Sequence, residues 1–467
     1  MYRLIIFGFL FFTTIATYGQ QESYVTIRKI GIEGNKKTKP YIIHRELEFE
    51  IGDSIFISDL PKVLERTENN LLNTILFNQV TVNVSEWDTD LDVIDILVTV
   101  QESWYIYLVP IAELADRNFN VWWNEFNGSL SRLNLGVRFQ HLNLSGNNDR
   151  LKFLAQFGFT PKFEVEYGFP NINRSKTLGA TVSFLHSTNK ETGYANFENK
   201  LLFAERNEMV MLRRNRARLS VVHRPNIYAY HEIKAEFQNN QINPLISDTL
   251  NGHFFLDGRA SQSFVSLLYR FRYDERDVRI YPLEGMSIEI ELEKTGIGIW
   301  NDIDLLTFSP AFTRYVRPSP GISIGTTMRG KVSILRDQPP FYQNRGLGYG
   351  NNFVRGYELY VVDGQDFFVM KNSAKFKLFE KNFDLGKAMF IQQFRVMPLK
   401  LFFTLNFDVG YVNEMYYNQS NDFTNRWLYG GGPALDLILY NNFLFQFEVS
   451  ANHLGEVGVF LHNSVSF

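Results

Sequence analysis

Most of the chain alternates between apolar and polar residues with a period of two. The clearest segment is 162–169, where the apolar positions are Phe163, Val165, Tyr167 and Phe169. Other segments with this alternation are 151–159, 288–293, 403–411 and 443–449. Because successive side chains of a strand point to opposite faces, these segments are predicted to be strands with one apolar and one polar face.

The two faces of these strands favour a membrane β-barrel over a soluble β-sandwich. The polar face carries carboxylates, Lys and Arg where a sandwich needs an apolar core, and the apolar face is as aromatic as a lipid-facing girdle. The chain has 43 Phe and 23 Tyr. Backbone groups in hydrocarbon must be paired, so the strands have to close on themselves. With about 22 residues per strand and connection, residues 105–467 predict a transmembrane antiparallel β-barrel of about 16 strands.

The alternation continues to the end of the sequence. Val465 and Phe467 are its last apolar positions. We therefore expect the chain to end inside its final strand, with these two residues as a C-terminal strand signal.

Residues 21–104 have a different pattern and predict a small α+β domain with the order β-α-α-β-β. Helical spacing of apolar residues alternates there with short period-two segments and turn pairs. The predicted elements are a strand at 25–32, a helical segment at 42–47, a helix from the N-cap Ser58 to Ile75, and strands at 80–84 and 94–100.

The first 20 residues predict a secretory signal peptide. Arg3 precedes an apolar run, 4–12, and small or polar residues follow up to Gly19. This pattern is typical of a cleaved leader. The alternative is an uncleaved anchor, but the run is shorter than the about 20 residues of a membrane helix.

Composition excludes several classes of function. The chain has no cysteine, so it has no disulfides, no lipid-acceptor cysteine and no thiol nucleophile. The net charge of −3 gives no general basic surface for nucleic acid. The eight His show no metal-ligand spacing and no Gly-x-Ser-x-Gly motif is present. We therefore expect no enzyme activity, no metal and no cofactor.

Short motifs in the N-terminal domain occur in the order that is usual for a POTRA domain. They are Gly34-Asn35, Arg45-Glu46-Leu47, Gly52-Asp53, Asn70-Leu71, Leu76-Phe77, Val80 and Val82. Each match alone is weak, because many of these are core positions of any small α+β domain. The ordered set makes the domain similar to a POTRA domain.

Four segments in the barrel region carry a second resemblance. The first is a turn after an early strand, Asn143-Leu144-Ser145-Gly146, and the second is a mid-barrel signature, Asp274, Arg276 and Asp277 with Pro282 and Gly285. The third is the tip of a long loop, Val354-Arg355-Gly356-Tyr357. The fourth is a Phe-x-Asp-x-Gly strand, Phe407-Asp408-Val409-Gly410-Tyr411. The alternative for the first two is an ordinary hairpin and a polar strand end. Together these segments make the whole mature chain resemble the BamA/TamA/two-partner-secretion transporter superfamily of outer-membrane β-barrels.

This resemblance implies that the loop tip folds back into the lumen and that Arg355 pairs with Asp408. Period-two alternation places Phe407 on the lipid face and Asp408 in the lumen. A guanidinium keeps its charge in a confined space and favours a carboxylate with two acceptor oxygens. The alternative is that both residues are ordinary solvated groups of the lumen.

The resemblance implies an integral outer-membrane protein with its N-terminal domain in the periplasm. Its expected function is to insert or translocate client proteins, which would enter at a seam between the strand near 105–111 and the last strand. The alternatives are a dedicated secretion transporter for one or a few exported proteins and, third, a passive channel or an outer-membrane hydrolase. The implied partners are client proteins and outer-membrane lipid, with accessory lipoproteins or periplasmic chaperones as further candidates. A basic cluster, residues 213–218, is interpreted as solvated lumen wall or loop base.

Overall fold

The computed structural model describes residues 23–114, 122–123, 127–205, 209–389 and 391–465. The predicted signal peptide and Phe467 lie outside these residues. Within the described ranges, no helix is both long enough and apolar enough to cross a membrane. The described chain contains a small N-terminal domain, followed by one sheet of 16 strands.

The N-terminal domain is a four-stranded sheet packed against two helices. Its elements are β1 (Tyr24–Glu33), α1 (Pro40–His44), β2 (Ser54–Phe56), α2 (Leu60–Leu72), β3 (Phe77–Asp88) and β4 (Val93–Glu102). The sheet order is β2-β1-β4-β3, with β1 parallel to β4. Its fully buried side chains include Ile42, Ile43, Leu71 and Ile94, so both helices and the sheet share one apolar core.

Two details of this domain differ from the prediction. The short strand β2 pairs with β1 and was absent from the predicted order β-α-α-β-β. Three residues are too few for an alternation to be recognised in the sequence. The N-cap of α2 is Asp59 and not Ser58, and it makes no side-chain cap hydrogen bond. Pro61 in the first helical turn fixes the start of α2 instead.

The 16-stranded sheet is antiparallel throughout, and its strands follow chain order, except that β9 pairs with β12. Its first five strands are β5 (Ile106–Leu114), β6 (Leu133–Leu142), β7 (Arg150–Gly158), β8 (Lys162–Phe169) and β9 (Leu178–Asn189). The next six are β12 (Leu212–His223), β13 (Ala229–Ile242), β14 (Ser261–Asp274), β15 (Gly285–Ile297), β16 (Trp300–Ser319) and β17 (Ile322–Ser333). The last five are β18 (Asp366–Asp384), β19 (Val396–Asn413), β20 (Trp427–Leu439), β21 (Phe443–Asn452) and β22 (Val457–Val465).

The strands β10 (Glu191–Phe197) and β11 (Lys200–Glu205) form a separate hairpin between β9 and β12. Further short helices are Leu130–Arg132, Ile246–Leu250, Phe341–Gln343, Gly386–Ala388, Gln392–Phe394 and Asn418–Ser420. The hairpin belongs to the end of the barrel away from the N-terminal domain, which we call the distal end. The end beside the N-terminal domain is the proximal end.

The faces of the barrel strands follow the predicted alternation. On β19, Phe407 is 53% exposed on the outer surface, while Asp408 is fully buried on the inner side. On β8, Phe163 and Val165 are exposed and Glu164 is buried. An apolar outer face around a polar interior is the arrangement of a membrane barrel.

Charged side chains of the inner wall pair across neighbouring strands. Arg270 donates to Glu291 at 2.5 Å and to Glu232 at 2.6 Å, so a cation on β14 joins β13 and β15. Arg218 donates to Glu236 at 2.8 Å. The basic cluster at 213–218 thus contributes to a ladder of lumen ion pairs, as expected for a polar wall.

The sheet ends at β5 and β22, which are its two edge strands. Among the described residues, no backbone pairing joins these two strands. We call the interruption of the sheet between these two strands the seam. The predicted strand signal falls here: Val465 is the last residue of β22.

Candidate functional site

A long loop between β17 and β18, residues 334–365, folds back into the barrel. Its tip packs in an apolar cluster with the inner wall rather than projecting away from the distal end. The buried members of this cluster are Leu347, Val354, Tyr357, Val362, Val369, Val412, Phe423 and Leu428. The loop tip is held by burial of its own apolar side chains.

Arg355 at the loop tip is bound by carboxylates from two strands. Its Nη1 donates to Oδ1 of Asp408 at 2.7 Å, and its Nε donates to Oε2 of Glu448 on β21 at 2.8 Å. The backbone N–H of Arg355 also donates to Oδ2 of Asp408 at 3.2 Å. Both carboxylates are almost completely buried, so this is a desolvated ion-pair triad in which each partner depends on the others. We call it the loop clasp.

Glycines make room for the loop clasp. Gly356 has φ +81°, and a Cβ there would lie 2.7–2.8 Å from backbone atoms of Ala451 and Asn452. On the wall, a Cβ at Gly430 would lie 2.1 Å from the carbonyl oxygen of Arg355, and one at Gly410 would lie 2.4 Å from Val354. The close approach of two backbones therefore requires glycine on both surfaces.

Tyr357 closes the tip against the last hairpin of the barrel. Its hydroxyl bonds to Nδ1 of His453, and its ring meets Phe423 edge-on at a centroid distance of 5.4 Å. Asn452 donates from Nδ2 to the carbonyl of Gly356 at 3.0 Å. The four residues of the predicted tip thus all contact the wall formed by β19–β22 or the β21–β22 hairpin.

A second loop, residues 275–284, enters the lumen from the proximal end. The hydroxyl of Tyr281 donates to Asp436 on β20 at 2.6 Å, and Lys375 donates to the carbonyl of Pro282 at 2.9 Å. Tyr281 packs with Phe402, Ile438 and Leu444 in a small apolar cluster. We call this segment the proximal loop.

The mid-barrel signature residues shape the start of the proximal loop. Asp274 accepts two hydrogen bonds from Arg276, at 2.7 and 2.8 Å, and Asp277 accepts one from Arg317 at 2.9 Å. Gly285 has φ +102°, and a Cβ there would lie 2.4 Å from the carbonyl oxygen of Glu275. These residues form a folded turn with its own ion pairs, which a solvated strand end would not need.

The sequence does not identify three residues that join the inserted loops to the wall. Glu448 lies on the inner face of β21, where period two would place it, but no motif marks it as a second partner of Arg355. Tyr281 and Asp436 meet across a separation of 155 residues. Alternation indicates which face a residue occupies, but not which distant loop will reach it.

Comparisons with known proteins address both parts of the chain. A family model for POTRA, described as surface antigen variable number repeat, matches residues 25–103. The N-terminal domain is a POTRA domain.

The whole chain is similar to two solved structures. One is BamA from Haemophilus ducreyi lacking POTRA domains 1–3, with a TM-score of 0.51 and 13% sequence identity. The matched region covers 95% of this chain and 85% of the BamA chain. The other is CdiB from Escherichia coli, with a TM-score of 0.51 and 11% sequence identity. That match covers 98% of this chain and 93% of the CdiB chain. No sequence match was found among curated proteins. The chain has the fold of these two proteins, and the predicted fold class, a β-barrel of 16 antiparallel strands that follows a POTRA-like domain, is confirmed.

The POTRA domain is docked on the proximal end of the barrel by polar contacts. Arg224, after β12, donates to both carboxylate oxygens of Glu46 at 2.6 Å. Asn73, after α2, donates to the carbonyl of Asp277 at 2.7 Å and accepts from the N–H of Arg279 at 2.9 Å. These contacts fix the POTRA domain to the β12–β13 turn and to the proximal loop.

The turn 143–149 contacts the POTRA domain from the other side. Asn143 donates to Thr38 Oγ1 at 2.9 Å, and Lys39 donates from its backbone N–H to the carbonyl of Gly146 at 3.0 Å. A Cβ at Gly146 would lie 2.4 Å from the carbonyl oxygen of Lys37. The early turn named from its resemblance is therefore a docking surface for the POTRA domain as well as a hairpin.

The docking of the POTRA domain is expected to weaken at acidic pH. Burial acts to raise the pKa of Glu46, but the ion pair and hydrogen bonds with Arg224 outweigh it, so the pKa lies below its ordinary value of 4.5. A carboxyl with a lowered pKa contributes stability that is complete above that ordinary value and is lost as pH falls through the lowered one. The protection of the amides of residues 40–47, taken as the measured hydrogen-exchange rate relative to the intrinsic rate at the same pH, should therefore be high at pH 7 and lower near pH 3.

The matched variant for this measurement is Glu46→Gln. Its side chain is similar in size but does not titrate, so the acid-induced loss of protection at 40–47 should disappear, while the protection at pH 7 should already be reduced. A loss of protection of equal size in both proteins between pH 7 and pH 3 would show that another group controls docking.

Among the described residues, no cluster of three or more His, Asp or Glu has an arrangement that could hold a metal ion.

Proposed function

We propose that this chain is an outer-membrane factor that inserts or translocates client proteins, with the POTRA domain in the periplasm. The observation that carries the proposal is the seam between β5 and β22, which lies beside the wall that holds the loop clasp. Edge strands with unpaired backbone groups are templates for a strand of another chain. A client strand could add at this seam and pass sideways into lipid.

The lumen supports this proposal over a passive channel. The loop 334–365 enters from the distal end and the proximal loop from the other, and both bind the inner wall. A pore for passive diffusion needs an open water-filled path. Two inserted loops and a docked POTRA domain occupy the path through the barrel, which favours an opening that is regulated over one that is always open.

The proposed mechanism needs no catalytic residue or cofactor. Client strands gain free energy when their apolar faces are buried in lipid and their backbone groups are paired. In the proposed mechanism the POTRA domain receives clients by pairing with an extended segment, for which the edge strand β3 is suitable. The proposed partners are client proteins and outer-membrane lipid, and periplasmic chaperones or accessory lipoproteins are further candidates.

The test is quantitative proteomics of the outer membrane and the culture medium after depletion of this protein. Loss of many unrelated barrel proteins is the expected result for an assembly factor. Loss of one or a few exported proteins, with other barrels unchanged, would establish the alternative, a dedicated secretion transporter. No change in either fraction would contradict both.

A second arm of the test separates lateral insertion from transport along the barrel axis. Because the chain has no cysteine, any disulfide formed after one cysteine is placed in β5 and one in β22 must join these two positions. A scan of Leu108 against Val459 and Leu461 supplies candidate pairs, with each single cysteine as its control. The oxidised protein should lose insertion and regain it on reduction.

A further inference from the structure

A chamber of about 480 Å³ lies between the POTRA domain and the inner wall at the proximal end. The POTRA domain contributes the segments around Glu46 and Asn73, and the barrel contributes inward-facing residues of β7, β8, β9, β12, β13 and β14. A volume of this size is typical of clefts that bind small ligands or short segments of a chain. Its lining thus comes from both domains.

The lining of the chamber is strongly basic. Six cationic side chains line it, and two carboxylates, Glu46 and Glu166, accompany them. The cationic residues are Arg45, Arg150, Lys176, Arg224, Arg272 and Arg279. A chain with a net charge of −3 thus concentrates positive charge at this one junction. Low-dielectric walls strengthen the field of such a cluster.

The chamber already binds one carboxylate. Glu46 reaches in from the POTRA domain and accepts two parallel hydrogen bonds from Arg224, each 2.6 Å long. This is the bidentate geometry in which a guanidinium recognises a planar carboxylate. The built-in pair shows which chemical group the chamber accepts.

Three arginines of the chamber have unused hydrogen-bonding capacity. The Nε atoms of Arg224, Arg272 and Arg279 are buried and have no hydrogen-bond acceptor among the described residues. Arg279 is partly compensated, because its Nε lies 3.3 Å from Asp274 and it donates to the hydroxyl of Tyr230. Arg272 has no ion pair within 4 Å in the described part of the chain. A buried donor without an acceptor is costly, and a bound anion would satisfy it.

Tyr230 holds these arginines in a fixed arrangement. The guanidinium carbons of Arg224, Arg272 and Arg279 lie 5.0, 4.7 and 5.7 Å from the centre of its ring. Stacking on an aromatic face is favourable for a guanidinium and orients its planar donors. The arginines are therefore positioned before a ligand arrives.

We propose that this chamber binds an acidic segment of the client polypeptide, with Arg272 as the main contact and Arg279 as the second. That the ligand belongs to a client protein rests on the proposed function. A carboxylate ligand is favoured because Arg224 of the same lining already binds the carboxylate of Glu46, and because six cationic side chains surround the chamber against two carboxylates. Binding there would hold a client segment beside the POTRA domain.

The experiment uses the full-length mature protein in detergent and a fluorescent peptide with four consecutive aspartates. The control peptide has four asparagines, which match aspartate in size but carry no charge. Fluorescence anisotropy should show binding of the aspartate peptide only, weakening as salt concentration increases. Equal binding of both peptides, or binding of neither, would overturn the proposal.

Variants locate the binding to the chamber. Arg272→Gln should weaken binding about tenfold, the loss expected for one charge-assisted hydrogen bond. Arg272→Lys should give an intermediate loss, because it keeps the charge without the planar donors. Arg395→Gln is the matched control, since Arg395 is an exposed proximal arginine that pairs with Asp384 away from the chamber. Loss of binding in Arg395→Gln equal to that in Arg272→Gln would contradict a specific site.

Two further results separate this proposal from others. Glycerol phosphate that displaces the peptide and itself binds more tightly would make the chamber a phosphate site and overturn the acidic-peptide assignment. Heat-modifiable migration on gels shows that each variant is a folded barrel. Peptide binding without any effect of depletion on clients would contradict the proposed function alone, whereas client loss without peptide binding would contradict this inference alone.

Discussion

Arg355→Ala is expected to abolish client insertion while leaving a folded barrel in the outer membrane. The substitution leaves Asp408 and Glu448 buried without a cation, and breaking a buried ion pair from one side costs about 3–5 kcal/mol. That free-energy cost destabilises the docked position of the loop, whereas the backbone hydrogen bonds that join the 16 strands are unchanged, so the barrel stays folded. Client abundance in the outer membrane, with heat-modifiable migration as the folding control, measures both effects.

Two companion variants identify what Arg355 contributes. Arg355→Lys keeps the charge but cannot reach two carboxylates on different strands with planar donors, so it should recover little activity. The triple variant Arg355→Ala, Asp408→Asn, Glu448→Gln removes the uncompensated charges and should restore much of the stability but not the activity. Normal client levels in Arg355→Ala at normal protein level would show that the loop clasp has no role in function.

Gly356→Ala is expected to release the loop tip from the wall and to reduce client insertion about as severely as the loss of Arg355. The new Cβ would lie 2.7–2.8 Å from the backbone of Ala451 and Asn452, and φ +81° adds about 1–2 kcal/mol of strain for a residue with a side chain. Backbone atoms of a paired strand cannot move aside as a flexible side chain can. Protease susceptibility of the loop 334–365, measured on intact cells, should increase.

The matched control for Gly356 lies in the same loop. Gly350 also has positive φ, +55°, but a Cβ there would meet nothing within 4 Å. Gly350→Ala therefore carries the conformational strain without the clash and should leave loop protection and client levels close to those of the natural protein. Equal effects of the two substitutions would mean that strain in the loop, and not contact with the wall, controls docking.

Most of the barrel could be predicted from the sequence, because one physical rule applies along its whole length. Alternation distinguishes the exposed Phe407 from the buried Asp408 on one strand without any knowledge of neighbours. The rule fails where segments are short or leave the sheet. The three-residue strand β2 and the β10–β11 hairpin depend on partners that only the folded chain supplies.

The functional residues were less predictable, because they depend on contacts between distant segments. The pairing of Arg355 with Asp408 was inferred from resemblance, and the structure brings these two side chains to 2.7 Å; its role in function stays a prediction. Glu448 as the second carboxylate was missed because its surroundings in the sequence resemble any other inner-wall position. The pairing of Glu46 with Arg224 joins two domains, and neither residue carries a signal of it.

The two inserted loops bind the same side of the barrel from opposite ends. Arg355 holds β19 and β21, and Tyr281 holds β19 and β20, whereas the strands near β5 are anchored mainly through turns that touch the POTRA domain. The barrel therefore has unequal stiffness around its circumference. When the seam widens, we expect the five strands β5–β9 to swing outward with the POTRA domain, while the strands β18–β22 keep their arrangement.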